Sequence, residues 1–263
     1  MKEIIRKTLA KIGYKIEKIT NPNPLDGKYR ALLKEIYGVY RDLKFNQLEE
    51  LDLANVDLMY RLDGTQISES LYILNALKET RLIAGDVCEF GVAQGFTSAM
   101  LGYNIKSTNK KLWLFDSFKG LPQPSSKDKL INDIFNLKSM DAYEGTMSHN
   151  QNLVLSNLQR VDFPSERIHV IPGFIEDSIT KFDFPKQVSF AYVDFDFYNP
   201  IKVALEYLHN VLSHDGKIIV DDYGFFSEGA KTAVDEFLMT HSNEYRSELP
   251  IPSAGKFIVL HKK

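Results

Sequence analysis

The sequence predicts an α/β protein built on a doubly wound, mostly parallel sheet, a Rossmann-like arrangement, with a helical extension in front. Three observations carry that expectation. From Asp86 onward, short apolar runs alternate with helical stretches, as strands buried on both faces do. The composition is that of an ordinary globular chain, with 44% hydrophobic and 25% charged residues among 263. Before residue 60 the pattern is helical, and residues 1–60 read as an extension or lid on a second domain, 61–263.

Element by element, residues 1–19 form an amphipathic helix on paper. Ile4, Ile5, Leu9, Ile12, Ile16 and Ile19 share one face, opposite Lys2, Arg6, Lys7, Lys11, Lys15 and Lys18. That face packs on the domain or on a second copy of the chain in a homo-oligomer, or it lies in the plane of an anionic membrane. Thr20-Asn21-Pro22-Asn23-Pro24 breaks the helix as a linker. Residues 27–80 continue with helical periodicity, interrupted at Leu62-Asp63-Gly64-Thr65.

Strands are expected at 86–90, 111–115, 167–171, 188–193 and 217–220, with two more near 244–248 and 256–261. After the fourth strand, Asn199 reads as a helix cap and Pro200 as the first helical residue, with Ile201, Leu205, Leu208 and Leu212 as the inner stripe. Asp215-Gly216 then reads as a turn into the next strand. The polar stretch 120–147 reads as a lid or binding loop.

Several function classes are excluded. A net charge of −3 supplies no basic field for nucleic acid. A single cysteine, Cys88, rules out a disulfide framework and reads as a core residue. No run approaches the ~20 apolar residues of a bilayer span, so the chain reads as cytoplasmic, or attached at the inner membrane face through residues 1–19. There is no GxGxxG and no GxxxxGK[ST], which argues against dehydrogenases and P-loop enzymes.

In open α/β sheets, ligands bind beyond the carboxyl ends of the strands, and acidic residues gather there. Glu89 precedes a glycine turn with Gly91 and Gly95; it would repel a pyrophosphate but suits the cationic amino-acid part of S-adenosylmethionine. Asp116, closing the second strand, suits ribose hydroxyls. Asp194 and Asp221, 27 residues apart, end neighbouring strands, and with Asp222 they make an all-oxygen site for Mg2+ or another hard divalent ion. Asp196, offset by two residues, is placed as a general base or, alternatively, as a cap of the following helix. Among the histidines only His149 lies near the 120–147 loop.

These residues fall in blocks whose order is distinctive: Glu89-Phe90-Gly91-Val92-Ala93-Gln94-Gly95, Phe115-Asp116-Ser117-Phe118-Lys119-Gly120-Leu121-Pro122, Pro172-Gly173-Phe174-Ile175-Glu176-Asp177, Asp194-Phe195-Asp196-Phe197-Tyr198 and Ile219-Val220-Asp221-Asp222-Tyr223-Gly224. Over residues 60–245 the chain resembles the macrocin/mycinamicin-type sugar O-methyltransferases. The resemblance implies a class I fold and a metal-dependent transfer of methyl from S-adenosylmethionine to a sugar hydroxyl. The acceptor would be a small molecule or glycan. It implies Mg2+ on Asp194, Asp221 and Asp222, Asp196 as the base, and Glu89, Gly91, Gly95, Asp116, Ser117 and Gly173 around the cofactor. A catechol- or phenol-type O-methyltransferase and a non-catalytic cofactor-binding module remain the alternatives; the former usually carries Asp-Asn where this chain has Asp221-Asp222.

Overall fold

The computed structural model describes residues 52–252 and 254–263, together with Ala31. All but Ala31 belong to a compact unit, Gln47–Lys263. The expected amphipathic helix 1–19 and the 20–24 linker lie outside the described residues.

Two helices lead into the sheet, α1 (Leu53–Tyr60) and α2 (Ile67–Glu79), separated at the expected break. Asp52 caps α1 by accepting the Asn55 N–H at 2.7 Å. Then follow β1 (Asp86–Phe90), α3 (Phe96–Ile105), β2 (Leu112–Asp116), α4 (Gln151–Arg160) and β3 (Ile168–Pro172). The second half contains the short α5 (Ile175–Ser178), β4 (Val188–Val193), α6 (Tyr198–Val211), β5 (Leu212–Val220), α7 (Glu228–Thr240), β6 (Tyr245–Glu248) and β7 (Ile258–Lys262).

The seven strands form one sheet in the order β3-β2-β1-β4-β5-β7-β6. β1 to β5 pair in parallel, and only β7 runs against its neighbours. The doubly wound expectation therefore holds. Cys88 and Phe90, Trp113 and Phe115, Ala191 and Val193, and Ile218 and Val220 pack with α6 and α7 in one core. Glu89 and Tyr192, in the alternate positions, belong to the opposite face, where Glu89 meets Ser98 of α3. Cys88 is fully buried, as expected.

Two local expectations are corrected. Helix α6 starts at Tyr198, with Phe197 in the cap position, so neither Asn199 nor Pro200 opens it. The carboxylate of Asp128, distant in sequence, accepts the Tyr198 N–H at 2.8 Å and does the capping from outside. Pro200 then falls in the first turn, where a missing N–H leaves no helical bond unmade. The Asp215-Gly216 turn is instead an irregularity inside β5: the pairing with β4 jumps from Leu212 to Lys217, and Asp215 has φ +61°.

The segment 120–147 is anchored rather than loose. Leu121, Met140 and Tyr143 form a small core with Phe197 and Phe226. Asp133 accepts the Tyr143 hydroxyl at 2.6 Å and the Leu137 and Lys138 N–H groups at 2.8 Å each.

Candidate active site at the carboxyl edge of the sheet

Parallel register delivers the acidic residues to one edge. The strand ladder runs one step past each strand: Gly91 N–H reaches the Phe115 carbonyl at 2.8 Å, and Gly173 N–H that of Asp116 at 2.9 Å. On the other side Asp194 N–H reaches the Phe90 carbonyl at 2.7 Å, and Asp221 N–H that of Val193 at 2.9 Å. The edge opens into a cavity of about 620 Å3, lined by Glu89, Gly91, Asp116, Ser117, Gly173, Asp194, Asp196, Asp221 and Asp222. Gly95 does not line it. That residue heads α3 at φ +80°, and a Cβ there would stand 2.8 Å from the Val154 backbone, so its bareness serves the packing of α4.

The glycine turn and the carboxylates share a wall. Gly91 has φ +86°, and a Cβ on it would fall 1.8 Å from the Asp194 carbonyl oxygen. No side chain fits, so the turn after β1 lies directly on the strand end that bears Asp194. Asp116 holds that turn. Its Oδ2 accepts the N–H groups of Val92 (2.8 Å) and Ala93 (3.0 Å), and its Oδ1 accepts that of Phe118 (2.6 Å). Ser117 closes the next bend by donating to the Gly120 carbonyl at 2.7 Å. Glu89 is buried beneath the turn with the Ser98 hydroxyl 2.5 Å from its Oε2. Burial, and then the Asp116 charge against the opposing Ser98 bond, pushes its carboxyl up to about 8.

The carboxylate half is differently built. Oxygens of Asp194, Asp196 and Asp222 lie within 4.8 Å of one another. Asp196 sits at φ +61° in a three-residue turn closed from Phe197 N–H to the Phe195 carbonyl at 2.5 Å, and Asp222 at φ +56°. Left-handed non-glycine residues cost free energy, and here both serve to fold a carboxylate back into the cavity. Asp221 lines the same cavity but is not one of the three converging carboxylates. Its Oδ2 accepts the Tyr192 hydroxyl at 3.0 Å, and its Oδ1 accepts the Asp222 N–H at 2.7 Å. Behind it, Glu69 of α2 is hydrogen-bonded to Asp221 and leaves its buried Oε1 without a partner.

Desolvation first and mutual repulsion second push Asp194 and Asp222 well above the usual carboxylate range; Asp196, despite an Asp222 hydrogen bond that opposes the shift, rises to about 6. Such a set gains from a cation. All donors are oxygens, they converge, and they resist ionising alone, which fits a hard divalent ion. The orphaned Glu69 oxygen adds a further buried acceptor beside them.

Glu69, Tyr192 and Asp128 belong to this edge and escaped the sequence reading. Glu69 had a visible signal: positions 69, 73, 76 and 77 form the buried stripe of α2, and one of them is a carboxylate. His149, with Phe135 and Phe225, lines the cavity on the side of the 120–147 segment. Among the described residues no helix is long and apolar enough to cross a membrane.

The sequence profile of the macrocin-O-methyltransferase family (TylF) matches residues 60–248. A tetracenomycin rhamnosyl 4'-O-methyltransferase of Streptomyces olivaceus is 24% identical over 59% of this chain and 58% of its own length. The mycinamicin III 3''-O-methyltransferase of Micromonospora griseorubida is 26% identical over 60% and 62%. The matched region thus spans about three-fifths of these relatives. Among solved structures, the O-methyltransferase NovP superposes with TM-score 0.63 at 19% identity, covering 75% of this chain and 81% of that one. The calicheamicin methyltransferase CalS11 gives 0.58 at 18%, covering 95% and 98%. At these identities the superpositions establish the fold.

Proposed function

The chain belongs to the macrocin-O-methyltransferase family, and from that premise we propose that it transfers a methyl group from S-adenosylmethionine to a hydroxyl of a sugar-bearing small molecule or glycan, with a hard divalent ion. The observation that carries this reading is the contact of Gly91 with the Asp194 carbonyl. It sets a turn suited to the cofactor and a carboxylate cluster suited to an ion on adjoining walls of one cavity. The Streptomyces relative is named for a rhamnosyl-bearing tetracenomycin, which favours a sugar hydroxyl over a catechol.

In this reading Glu89 would take the cationic amino-acid end of the cofactor and the Asp116 edge its ribose. Asp194, Asp221 and Asp222 would hold the ion, Asp221 by an acceptor position left beside its bonds to Tyr192, Asp222 and Glu69. The cofactor supplies the methyl group and the ion supplies Lewis acidity when bound. Asp196 lies beside the ion's carboxylates without ending a strand, and it accepts the proton that the acceptor hydroxyl loses. Before an ion binds, burial raises its pKa to about 6, so it is more basic than a solvated aspartate. Phe135, Phe225 and Phe226 wall the acceptor side and keep water from the reacting atoms.

The test is methyl transfer from labelled S-adenosylmethionine to a panel of 6-deoxyhexosides, with catechol alongside, with Mg2+ and with EDTA. Transfer to a glycoside that EDTA abolishes is the expected result. Transfer to catechol alone, or transfer indifferent to EDTA, overturns the acceptor or the metal assignment respectively.

A further inference from the structure

We propose that His209, His241 and Glu244 form a second metal site, for a transition ion of the zinc class, at the opposite edge of the sheet from the carboxylates. The topology fixes that location. Helices α6 and α7 start beyond the carboxyl ends of β4 and β5 and finish at the amino edge, where β6 begins. His209 lies in the last turn of α6, His241 caps the end of α7, and Glu244 directly precedes β6.

One donor atom from each of the three lies within 4.8 Å of the others. The two imidazole rings face each other with centroids 3.8 Å apart at 32°. The Glu244 carboxylate bridges them, Oε1 standing 3.2 Å from His241 Nδ1 and Oε2 3.9 Å from His209 Nε2. His209 Nδ1 stands 3.5 Å from the Tyr245 hydroxyl, so Nε2 is the ring nitrogen on the Glu244 side.

The donors are also held in place. His241 N–H reaches the Phe237 carbonyl at 3.0 Å and Glu244 N–H the His241 carbonyl at 2.9 Å. Tyr245 is buried, while the Glu244 side chain is 52% exposed, which gives an ion a path from solvent. Two neighbouring ammoniums are engaged by backbone carbonyls, Lys262 Nζ by those of His209 (2.7 Å) and Leu212 (2.9 Å) and Lys263 Nζ by that of Ser242 (3.4 Å).

Two imidazoles and one carboxylate with open positions suit Zn2+, Co2+ or Ni2+. Mg2+ takes oxygen donors, so the two sites of the chain select different ions. An ion here would tie α6, α7 and β6 together.

The experiment is calorimetric titration of the untagged full chain with Zn2+ in excess Mg2+, followed by Co2+ absorption to read the geometry. Wild type should take up one Zn2+, and Asp222→Asn should keep that uptake. His241→Ala should weaken it by about 10–100-fold or more, and Glu244→Gln, a change at an exposed side chain that leaves folding intact, by at least about tenfold. Thermal unfolding should shift upward with Zn2+ in wild type and not in His241→Ala. Absence of Zn2+ binding by wild type, or wild-type affinity in both Glu244→Gln and His241→Ala, overturns the site.

Discussion

The two halves of the carboxyl edge face the same cavity yet are built on opposite principles. In the glycine-turn half the turn's partly buried backbone donors are already matched: Asp116 alone accepts three N–H groups, from Val92, Ala93 and Phe118. In the carboxylate half, Asp194, Asp196 and Asp222 converge on one another, and two of them need left-handed backbone to do so. The first half is a finished scaffold that shapes a pocket before anything binds. The second is incomplete, since carboxylates in contact favour either protons or a cation. Preorganisation and ligand demand are thus divided between neighbouring strands, with Gly91 against Asp194 as the seam.

The sharpest way to break this contrast is within the carboxylate half. Asp196→Asn keeps the shape and removes the basic oxygen, so turnover should fall by about 10²–10⁴. Homocysteine-form cofactor and Mg2+ should still bind, measured by calorimetry. Asp221→Asn should instead lose Mg2+ affinity and activity together. The convergence of Asp196 with Asp194 and Asp222 makes the pair of variants decisive: if Asp196→Asn loses Mg2+ as severely as Asp221→Asn, Asp196 is a ligand, and if Asp221→Asn alone keeps Mg2+, Asp221 is a support held by Tyr192 and Glu69.

The next effect belongs to the finished half. Asp116→Ala strands three N–H groups, and leaving a buried donor unmatched costs about 1–3 kcal/mol. Affinity for S-adenosylhomocysteine should fall about 10–100-fold, while Mg2+ affinity stays at the wild-type value. Faster amide exchange at Val92 and Ala93 would identify the loosened turn as the cause. Lost cofactor affinity with unchanged exchange would place the whole effect in direct contacts to the ligand.

What the sequence disclosed follows the same division. Strand ends were legible because buried parallel strands are continuous apolar runs, and a residue closing such a run has only one edge to occupy; hence Asp116, Asp194 and Asp221 were placed there from the text of the chain. Which carboxylates meet was not legible. It depends on positive φ at Asp196 and Asp222, which no periodicity records. The start of α6 was misread for a related reason. Asn199-Pro200 is a sound local signal, but the effective acceptor is Asp128, 70 residues upstream. His209, His241 and Glu244 meet only because two helices end at one edge, and the spacing between them carries no motif.

The smallest effect tests whether the scaffold half also has an unmet charge, at Glu89. Its folded pKa, about 8, lies above the ordinary glutamate value of 4.5, so near neutrality the folded, ligand-free chain binds a proton there that the unfolded chain has released. Stability from this group is therefore present below about 4.5 and is lost as pH rises towards 8. A cationic amino-acid group beside Glu89 favours the ionised form, so binding near neutrality must expel that proton. Affinity for S-adenosylhomocysteine should accordingly rise with pH, by about fivefold from 7 to 8 and little beyond 9. Calorimetry in two buffers of different ionisation enthalpy reads the proton directly, and release of close to one proton at pH 7 is the expected result. In Glu89→Gln the release should vanish and the affinity become flat across the same range. Flat affinity in the wild type would mean that Glu89 is already ionised, with the charge mismatch confined to the carboxylates of β4 and β5.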